Sequence, residues 1–561
     1  MSYKSFIKGS RIVLEVLKRM GVKDIFGYPG GAVIPIYDAF YDFDGIKHYL
    51  SRHEQGATHA ADGYARTTGK TGVCIATSGP GATNTVTGIM TAYMDSVPLL
   101  VITGQVPTSF LGRDSFQESD ILGITSPITK HNYLVKNIEE LPGILKEAYA
   151  LTKKGRPGPV LIDIPKDIQM QEISVEKFEE LYAINCEYVG NKYPKKYGSK
   201  DIDAAVELIK TANHPVFIIG GGVMNAGAAE ETQKLLSKIK APSVATLMGL
   251  GGVPHNFPGH MGMIGMHGKV WANRCVNEAD LVVSLGMRFD DRIVGDPDKF
   301  APHAKKIHVD IDAAEINKNV KIDLPLIGDA KDVLEDLLNA GIEADFSEWL
   351  EKCESYILDE DSQGDCLNQV STVKYLGDIL PDSSIVVTDV GQHQMFTAQH
   401  FKFKQPLSFC TSGGAGTMGY GLPAAIGAQV GNPDKRVIAI IGDGGFQMNQ
   451  QELIVLKQYN LPVKIFILNN GTLGMVRQWQ ELFNQKRYSE VILDVNPDFV
   501  KLAEANGLRG VRVNSVEELK QIEEMINDDL PLLVDVVVPR ECNVYPIIPA
   551  GKSFSETIIG E

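Results

Sequence analysis

Short runs of β-branched and aliphatic residues alternate with helical patterns along nearly the whole chain, and this alternation restricts the fold most strongly. Each run has the length of a buried strand, and the intervening stretches are long enough for a crossover helix. The pattern therefore predicts the α/β class, with open parallel sheets covered by helices. The clearest runs are 72–76, 99–103, 160–164, 216–219, 281–284, 385–388, 437–441, 463–468 and 532–538.

Two polar stretches interrupt this pattern and divide the chain. They are 187–199 (EYVGNKYPKKYGS) and the Asp- and Glu-rich 343–365. Because 561 residues are too many for one hydrophobic core, we interpret both stretches as linkers between three α/β domains. The predicted bounds are 1–185, 186–345 and 346–543, followed by a C-terminal tail, 544–561, that folds over the site as a lid.

The charge and cysteine content narrow the class of protein. A formal net charge of -16 and a pI near 5.3 argue against binding to nucleic acid or anionic lipid. Seven scattered cysteines without a CxxC pair are typical of reduced thiols in a cytoplasmic protein. Residues 1–21 predict an amphipathic helix that ends at Gly21 instead of a signal peptide, and no apolar run is long enough to span a membrane.

Polar side chains follow two neighbouring runs in the third predicted domain. Asp443 comes between Gly442 and Gly444 after one strand, and Asn470 follows the next. The carboxyl ends of parallel strands are where open α/β sheets bind ligands. The Asp443 carboxylate, the Asn470 amide oxygen and the Thr472 carbonyl would form an all-oxygen set suited to Mg²⁺, and the glycines would let a diphosphate approach. The alternative is an ordinary strand-to-helix turn with a capping Asp.

The segments Gly442-Asp443-Gly444 (GDG) and Asn469-Asn470 (NN) together resemble the thiamine diphosphate fingerprint. The whole chain resembles the large subunits of biosynthetic, FAD-containing acetohydroxyacid synthases. The resemblance implies decarboxylation of pyruvate and transfer of its two-carbon unit to a second pyruvate or to 2-ketobutyrate, in branched-chain amino acid synthesis. It implies three cofactors: thiamine diphosphate, Mg²⁺ and FAD. The first domain would bind the pyrimidine half of thiamine diphosphate, the third domain would bind its diphosphate with Mg²⁺, and a Rossmann-like middle domain would bind FAD. The resemblance also implies a homodimer or homotetramer with the site between subunits, in a family that commonly adds a small regulatory subunit.

The segment Arg52-His53-Glu54-Gln55-Gly56-Ala57 carries the residue that would activate the cofactor. Thiamine diphosphate must lose a proton from its thiazolium ring, which requires a carboxylate on the aminopyrimidine nitrogen. By the resemblance, Glu54 is that carboxylate; the alternative is a surface Glu at a helix start. The resemblance also implies contacts to the pyrimidine half from Tyr28, Gly30, Gly31, Thr77, Pro80 and Asn84.

The loop 412–419 (SGGAGTMG) resembles the family loop that bends the cofactor. Met418 would then lie between the two rings, and the Gly416 carbonyl would accept from the amino group, although a lone Met is more often core filler. We interpret His393 as a hydrogen-bond donor to phosphate. The residues implied around the diphosphate are Val390, Gly391, Gln392, His393, Gly474 and Met475.

Five further residues match substrate-site positions of the family: Phe116 and Gln117 in GRDSFQESD, Lys166 in DIPKD, Arg292 in RFDDR and Trp479 in MVRQWQ. The Arg292 guanidinium would bind the carboxylate of the second keto acid in a bidentate manner. The Trp479 indole would favour 2-ketobutyrate as acceptor; the alternative is a plain core aromatic.

The middle domain offers Gly220-Gly221-Gly222 after a strand, which is weak evidence alone for a dinucleotide. The resemblance, which includes the RFDDR segment of flavin-containing synthases, adds further FAD contacts. These are Arg156, Met266, His267, Gly286, Arg288, Asp290, Asp310 and Asp329. Because the net reaction involves no redox change, we expect a structural role for FAD.

Three rival functions remain open at this point: a relative with the same cofactors such as pyruvate oxidase, oxalyl-CoA decarboxylase or glyoxylate carboligase; a flavin oxidoreductase; and a non-catalytic nucleotide-binding scaffold. Two features depart from the family pattern. Asp62 stands where a Glu is expected, and the loop 112–115 (GRDS) differs from the commoner GTDA or GKDA.

Overall fold

Three six-stranded sheets dominate the computed structural model, which describes residues 5–186, 193–358 and 366–560. All the strand pairs recorded in these sheets are parallel, so the predicted α/β class is confirmed. Residues 187–192 and 359–365 of the two predicted linkers lie outside the described residues. Throughout the described part, the helices are too short or too polar to traverse a bilayer.

The first domain contains one parallel sheet, with strand order β3-β2-β4-β5-β7-β6, and a small antiparallel pair of β1 and β8. Its strands are β1 (Phe6–Lys8), β2 (Asp24–Gly27), β3 (Lys47–Leu50), β4 (Gly72–Ala76), β5 (Leu99–Gln105), β6 (His131–Leu134), β7 (Pro159–Pro165) and β8 (Glu172–Ser174). Its helices are α1 (Gly9–Arg19), α2 (Ile34–Phe40), α3 (Glu54–Thr68), α4 (Pro80–Thr83), α5 (Val86–Met94), α6 (Ile121–Thr125), α7 (Leu141–Lys153), α8 (Lys166–Met170) and α9 (Val175–Ala183).

The N-terminal helix is shorter than its amphipathic pattern predicts, because it begins only at Gly9. Residues Phe6–Lys8 form β1 instead and pair with β8. The Gly9 amide donates to the Gln171 carbonyl at 2.9 Å, which turns the chain from strand into helix. The helix ends at Arg19, just before Gly21 with its φ of 87°.

The middle domain has the strand order β11-β10-β9-β12-β13-β14. Its strands are β9 (Pro215–Ile219), β10 (Ser243–Ala245), β11 (His260–Met263), β12 (Leu281–Leu285), β13 (Lys305–Asp310) and β14 (Leu324–Ile327). Its helices are α10 (Ser199–Thr211), α11 (Gly221–Ala226), α12 (Ala229–Ile239), α13 (Val270–Asn277), α14 (Asp291–Val294), α15 (Ala330–Asn339) and α16 (Ser347–Glu354).

Helix α16 lies inside the second predicted linker, so that stretch is not continuous coil. Trp349 is buried, and its indole donates to the Pro215 carbonyl at 3.1 Å. The Phe346 amide donates to the Ile239 carbonyl, which fixes the start of the helix against the middle domain. Acidic residues dominate the composition here, but one apolar face is enough to dock a short helix.

The third domain has the strand order β16-β15-β17-β18-β20-β19. Its strands are β15 (Ile385–Thr388), β16 (Phe409–Cys410), β17 (Val437–Gly442), β18 (Lys464–Asn469), β19 (Arg509–Val513) and β20 (Leu532–Val537). Its helices are α17 (Gln369–Ile379), α18 (Gln392–His400), α19 (Gly421–Gly431), α20 (Asp443–Met448), α21 (Leu453–Tyr459), α22 (Gly474–Phe483), α23 (Phe499–Ala505), α24 (Val516–Gln521) and α25 (Glu523–Asn527).

The first and third domains meet where α3 crosses α19. A Cβ added at Gly427 would lie 1.7 Å from the Ala60 carbonyl oxygen, and one at Gly63 would lie 2.2 Å from the Ala424 carbonyl oxygen. The two backbones therefore touch at glycines, and the buried residues around them form one hydrophobic core shared by both domains. This contact sets where α3, which begins with Glu54, lies relative to the third domain.

The C-terminal tail packs on the middle domain. The Ile548 amide donates to the Met266 carbonyl at 2.9 Å, and the Asp296 amide donates to the Lys552 carbonyl at 3.1 Å. At the start of the tail, Val544 is fully buried against Val370 and Phe396 of the third domain. The tail thus lies beside Met266, one of the predicted flavin contacts.

Candidate active site

The predicted pyrimidine contacts lie together at the carboxyl edge of the first sheet, after β2, β3 and β4. Glu54 begins α3 and is 8% exposed, and the Asn84 side chain donates to its carboxylate at 3.0 Å. The Thr77 hydroxyl accepts from the Ala32 amide at 3.2 Å, and a Cβ at Gly30 would lie 2.5 Å from the Thr77 methyl. The same edge carries Tyr28, Gly31 and Pro80.

The first-domain substrate residues adjoin this edge. Gln117 has a φ of 60°, and a Cβ on Gly79 would lie 2.8 Å from the Gln117 carbonyl oxygen. Lys166 begins α8 directly after β7. The Phe116 side chain is 88% exposed, which is unusual for a large apolar group.

A small pocket of about 50 Å³ lies at the carboxyl edge of the third sheet. It brings together Met418, which was predicted to lie between the two cofactor rings, and the residues predicted around the diphosphate and metal: Val390, Gly391, Gln392, His393, Gly442, Asp443, Gly444, Asn470, Thr472, Gly474 and Met475. The His393 Nε2 atom is buried without a hydrogen-bond partner. Burial lowers the pKa of His393 to about 3, although a ring hydrogen bond to the Asp389 backbone opposes this shift, so burial favours the neutral ring.

Asp443 is 1% exposed, and the Asn496 side chain donates to its carboxylate at 2.8 Å. Burial raises the pKa of Asp443 to about 6, although the Asn496 bond opposes this shift. The Asn470 amide oxygen accepts from the Thr472 amide at 3.1 Å. Among the described residues no group of three or more His, Cys, Asp or Glu could hold a metal, so phosphate oxygens would have to complete a Mg²⁺ shell here.

A larger cavity, of about 830 Å³, begins at the carboxyl ends of the middle-domain strands. It brings together nearly all the predicted flavin contacts: Arg156, Gly221, Gly222, Met266, His267, Gly286, Arg288, Asp290, Asp310 and Asp329. Gly220 is not among the lining residues, because its Cα packs against the Gly286 carbonyl, 2.1 Å from an added Cβ. A volume of this size fits a large cofactor.

Two side chains of this larger cavity, the half-buried Arg156 and the buried His267, connect separate parts of the chain. The Arg156 guanidinium is 2.7 Å from the Glu315 carboxylate, and this ion pair joins the first domain to the middle one. The Arg156 Nε donates to the Ser96 hydroxyl, also of the first domain, at 2.8 Å. Burial lowers the pKa of His267 to about 4, and its ring is 3.3 Å from the Pro546 carbonyl of the tail.

The cavity continues to the third domain, where Met418, Met475, Val476 and Trp479 also line it. The Arg292 guanidinium lies 5.8 Å from the centre of the Trp479 ring. Burial raises the pKa of Asp290, whose carboxylate accepts from the Arg292 amide at 3.1 Å. The two predicted acceptor-side residues are therefore brought together in one chain.

The first-domain residues Glu54, Phe116, Gln117 and Lys166 line neither cavity within the described chain. The predicted site residues thus form two groups. One lies on the first domain, and the other extends from the third domain into the middle domain.

Several residues that support the site were not predicted. Asn496 bonds Asp443 from a loop, and an Asn-Pro dipeptide there indicates only a turn. The Asp389 carboxylate accepts from the amides of Val390, Gly419 and Gly421 at 2.9, 3.1 and 2.8 Å. It therefore joins the turn at Val390 to the C-terminal end of the Met418 loop. The position of Asp389 directly after β15 is the sequence feature that could have indicated it as a site residue.

The departure at Asp62 belongs to a buried ion-pair network. Arg66 lies 2.6 Å from Asp62 and 2.9 Å from Asp95. Asp95 accepts from the amides of Gly413 and Gly414 at 2.9 and 2.7 Å. The network ties α3 to the loop that carries Met418, which is a contact between the two groups of site residues.

Comparison with known proteins agrees with the three-domain fold. The chain matches the thiamine pyrophosphate enzyme N-terminal TPP binding domain over residues 7–124, the central domain over 202–337 and the C-terminal TPP binding domain over 389–536. It is 48% identical to a probable acetolactate synthase large subunit of Methanocaldococcus jannaschii, over 98% of this chain and 95% of that protein. It is 46% identical to the acetolactate synthase isozyme 2 large subunit of Escherichia coli, over 98% and 99%. The Lactococcus lactis large subunit is 45% identical, over 98% and 96%.

Proposed function

The chain belongs to the acetolactate synthase large subunits of the thiamine pyrophosphate enzyme family, and from that premise we propose which residues bind the cofactors and which bind the substrates. It is an acetohydroxyacid synthase, a thiamine diphosphate-dependent carboligase that uses pyruvate. Bound thiamine diphosphate supplies the carbon centre on which pyruvate loses carbon dioxide and the two-carbon unit is passed on. This membership favours the synthase over the pyruvate oxidase, flavin oxidoreductase and scaffold alternatives.

Glu54 holds the proton that activates the cofactor. Its carboxylate is buried at the start of α3, and the Asn84 side chain fixes its direction through the 3.0 Å bond. A buried carboxylate with one fixed donor is pre-organised to bind a ring nitrogen and to exchange a proton with it. Thr77, Gly30 and Pro80 form the surrounding wall at the same sheet edge.

Asp443, Asn470 and the Thr472 carbonyl would hold Mg²⁺, which would supply positive charge for the diphosphate. The unpartnered His393 Nε2 atom supports a ligand in this pocket, because a buried polar atom usually has a hydrogen-bond partner. Gly442 and Gly444 allow the diphosphate to approach the backbone closely, because they have no Cβ.

The residues that line the larger cavity would hold FAD as a structural group. The support is the match between the predicted flavin contacts and the lining of one continuous space of about 830 Å³. At its third-domain end, Arg292 binds the carboxylate of the acceptor, and Trp479, Met475 and Val476 form the apolar wall that favours 2-ketobutyrate over pyruvate.

The complete site forms between two copies of the chain. Glu54 and Lys166 line neither cavity of their own chain, and Phe116 is 88% exposed, as expected for a side chain that a second subunit covers. We therefore propose a homodimer as the minimum active unit, which a homotetramer or a small regulatory subunit would extend, in the cytoplasm.

One complementation experiment tests the cofactor roles and the shared site together. Glu54→Gln and Asp443→Asn homodimers should each convert pyruvate to acetolactate very slowly. After the two variants are dissociated, mixed and reassociated, half of the dimers would contain one intact site, so activity should return to about a quarter of wild type. No recovery, with mixed dimers demonstrated by mass spectrometry, would place both residues in one chain's site.

A product assay tests the reaction itself. Wild-type protein with thiamine diphosphate, Mg²⁺ and FAD should consume pyruvate and form acetolactate, and added 2-ketobutyrate should divert product to 2-aceto-2-hydroxybutyrate. Pyruvate consumption with oxygen uptake and no acetolactate would contradict the assignment.

A further inference from the structure

A buried carboxylate of the third domain holds the backbone that precedes Glu54. Glu452 is fully buried, and its two carboxylate oxygens accept from the Arg52 amide at 2.9 and 3.1 Å. The His53 amide also bonds this carboxylate. Both amides come just before α3, where backbone N–H groups lack partners inside the helix.

The approach of Glu452 to α3 depends on Gly56. A Cβ at position 56 would lie 2.5 Å from the Glu452 Oε1 atom and 2.7 Å from its Cδ. Since the carboxylate is buried and bonded by two amides, it has little freedom to move away. The two residues therefore form a close contact that only glycine permits.

The same contact is reinforced on either side. The Leu50 amide donates to the Tyr459 hydroxyl at 2.8 Å, and the Arg52 guanidinium donates to the Gln458 side chain at 2.6 Å. We name residues 443–459 the clamp segment, because this stretch includes α20, the turn with Glu452, and α21. It begins at Asp443, the proposed metal ligand.

We propose that Glu452 is a positioning residue for Glu54, whose carboxylate it directs by fixing the backbone at Arg52 and His53. The proposal rests on the role proposed for Glu54. Glu452 itself lines neither cavity, so it acts through the backbone of the residue that bonds the cofactor. Small displacements of such a residue reduce catalysis strongly, because proton transfer requires hydrogen-bond distance.

The clamp segment also connects a residue that would bind the metal with the backbone that positions Glu54. If Glu54 serves the site that it forms with the partner's third domain, the segment joins the metal ligand of one site to the cofactor-activating carboxylate of the other.

The test compares Glu452→Ala, Glu452→Gln and Gln458→Ala in the holoenzyme with saturating thiamine diphosphate and Mg²⁺. The measured quantity is the rate at which the thiazolium proton of the bound cofactor exchanges with deuterium, read by NMR after acid quenching. Glu452→Ala should slow this exchange at least about tenfold with little change in cofactor affinity. Glu452→Gln, which keeps one acceptor, should lie between Glu452→Ala and wild type. The exposed Gln458→Ala is the matched control and should stay within about twofold, as for a surface contact.

Exchange at the wild-type rate in folded, cofactor-saturated Glu452→Ala would overturn the proposal, as would an equal loss in Gln458→Ala. If Glu452→Ala does not fold, Gly56→Ala answers the question, since its methyl group displaces the carboxylate and should also slow exchange about tenfold. Unchanged exchange in Gly56→Ala would then count against the proposal. Glu54→Gln, measured in parallel, separates the two ideas: wild-type exchange there refutes the role of Glu54, whereas loss there without loss in Glu452→Ala refutes only the positioning role.

Discussion

The crossing of α3 and α19 gives a prediction with two competing effects. Gly427→Ala gains about 1 kcal/mol of helix propensity. The added methyl carbon, however, would lie 1.7 Å from the Ala60 carbonyl oxygen and 2.9 Å from the Tyr64 nitrogen, whereas ordinary contact begins at 3.4 Å. Both neighbours are backbone atoms, so the helices must separate, and overpacking of this kind costs about 3 kcal/mol or more.

The steric clash should therefore outweigh the gain in helix propensity, and the free energy of unfolding should fall by about 2 kcal/mol. For a unit of this size, that loss lowers the melting temperature by about 4–8 °C. Circular dichroism during heating measures it as a shift of the first transition, because a chain with several domains need not unfold in one step. Turnover with pyruvate should also fall, since α3 begins with Glu54.

Gly143→Ala is the matched control. Gly143 lies in α7, and nothing approaches its would-be Cβ within 4 Å. This substitution should stabilise the protein by about 0.5–1 kcal/mol and leave turnover unchanged. The reasoning fails if Gly427→Ala melts at or above the temperature of Gly143→Ala.

Three other predictions concern the cavities and a buried acid. Arg156→Ala should weaken flavin retention about tenfold, measured by flavin absorbance after gel filtration, because it removes a charged donor from the cavity wall; full retention would contradict this. Trp479→Leu should lower the preference for 2-ketobutyrate over pyruvate roughly tenfold in a competition assay, and an unchanged product ratio would exclude the indole as the selecting group. Burial raises the pKa of Asp163 to about 7, despite bonds from Thr103 and Gln105, so the stability associated with its neutral form is complete below pH 3.8 and is lost as pH rises through 7. Asp163→Asn should remove this decline, worth up to about 4 kcal/mol, from urea unfolding measured across pH 4–8; an identical pH slope in the variant would refute it.

Much of the fold and the third-domain pocket could be predicted from local pattern alone. Asp443 and Asn470 each follow a buried strand, and parallel strands bring such positions to one edge without further information. For Glu54 and the flavin contacts, the prediction depended on resemblance, since a Glu at a helix start has no local feature that marks it as catalytic.

The residues that escaped prediction act through contacts between distant parts of the chain. Glu452 bonds a backbone amide 400 residues away, and Asn496 bonds a carboxylate 53 residues away. Side chains such as these carry no periodic signal, because their partners are set only when domains pack together. The strand at Phe6–Lys8 shows the same limit, as its pairing with β8 overrides a helical pattern.

The uninterrupted space between Arg156 and Trp479 makes its two ends thermodynamically dependent on each other. Any molecule lodged beside the indole shares walls, including Met266 and Arg292, with whatever fills the opposite end. By linkage, if occupancy of one end alters the affinity at the other by some factor, the reverse effect has the same factor. An inhibitor bound against Trp479 would accordingly have different dissociation constants for flavin-depleted and flavin-replete protein, and it would change the dissociation constant of flavin by the same factor.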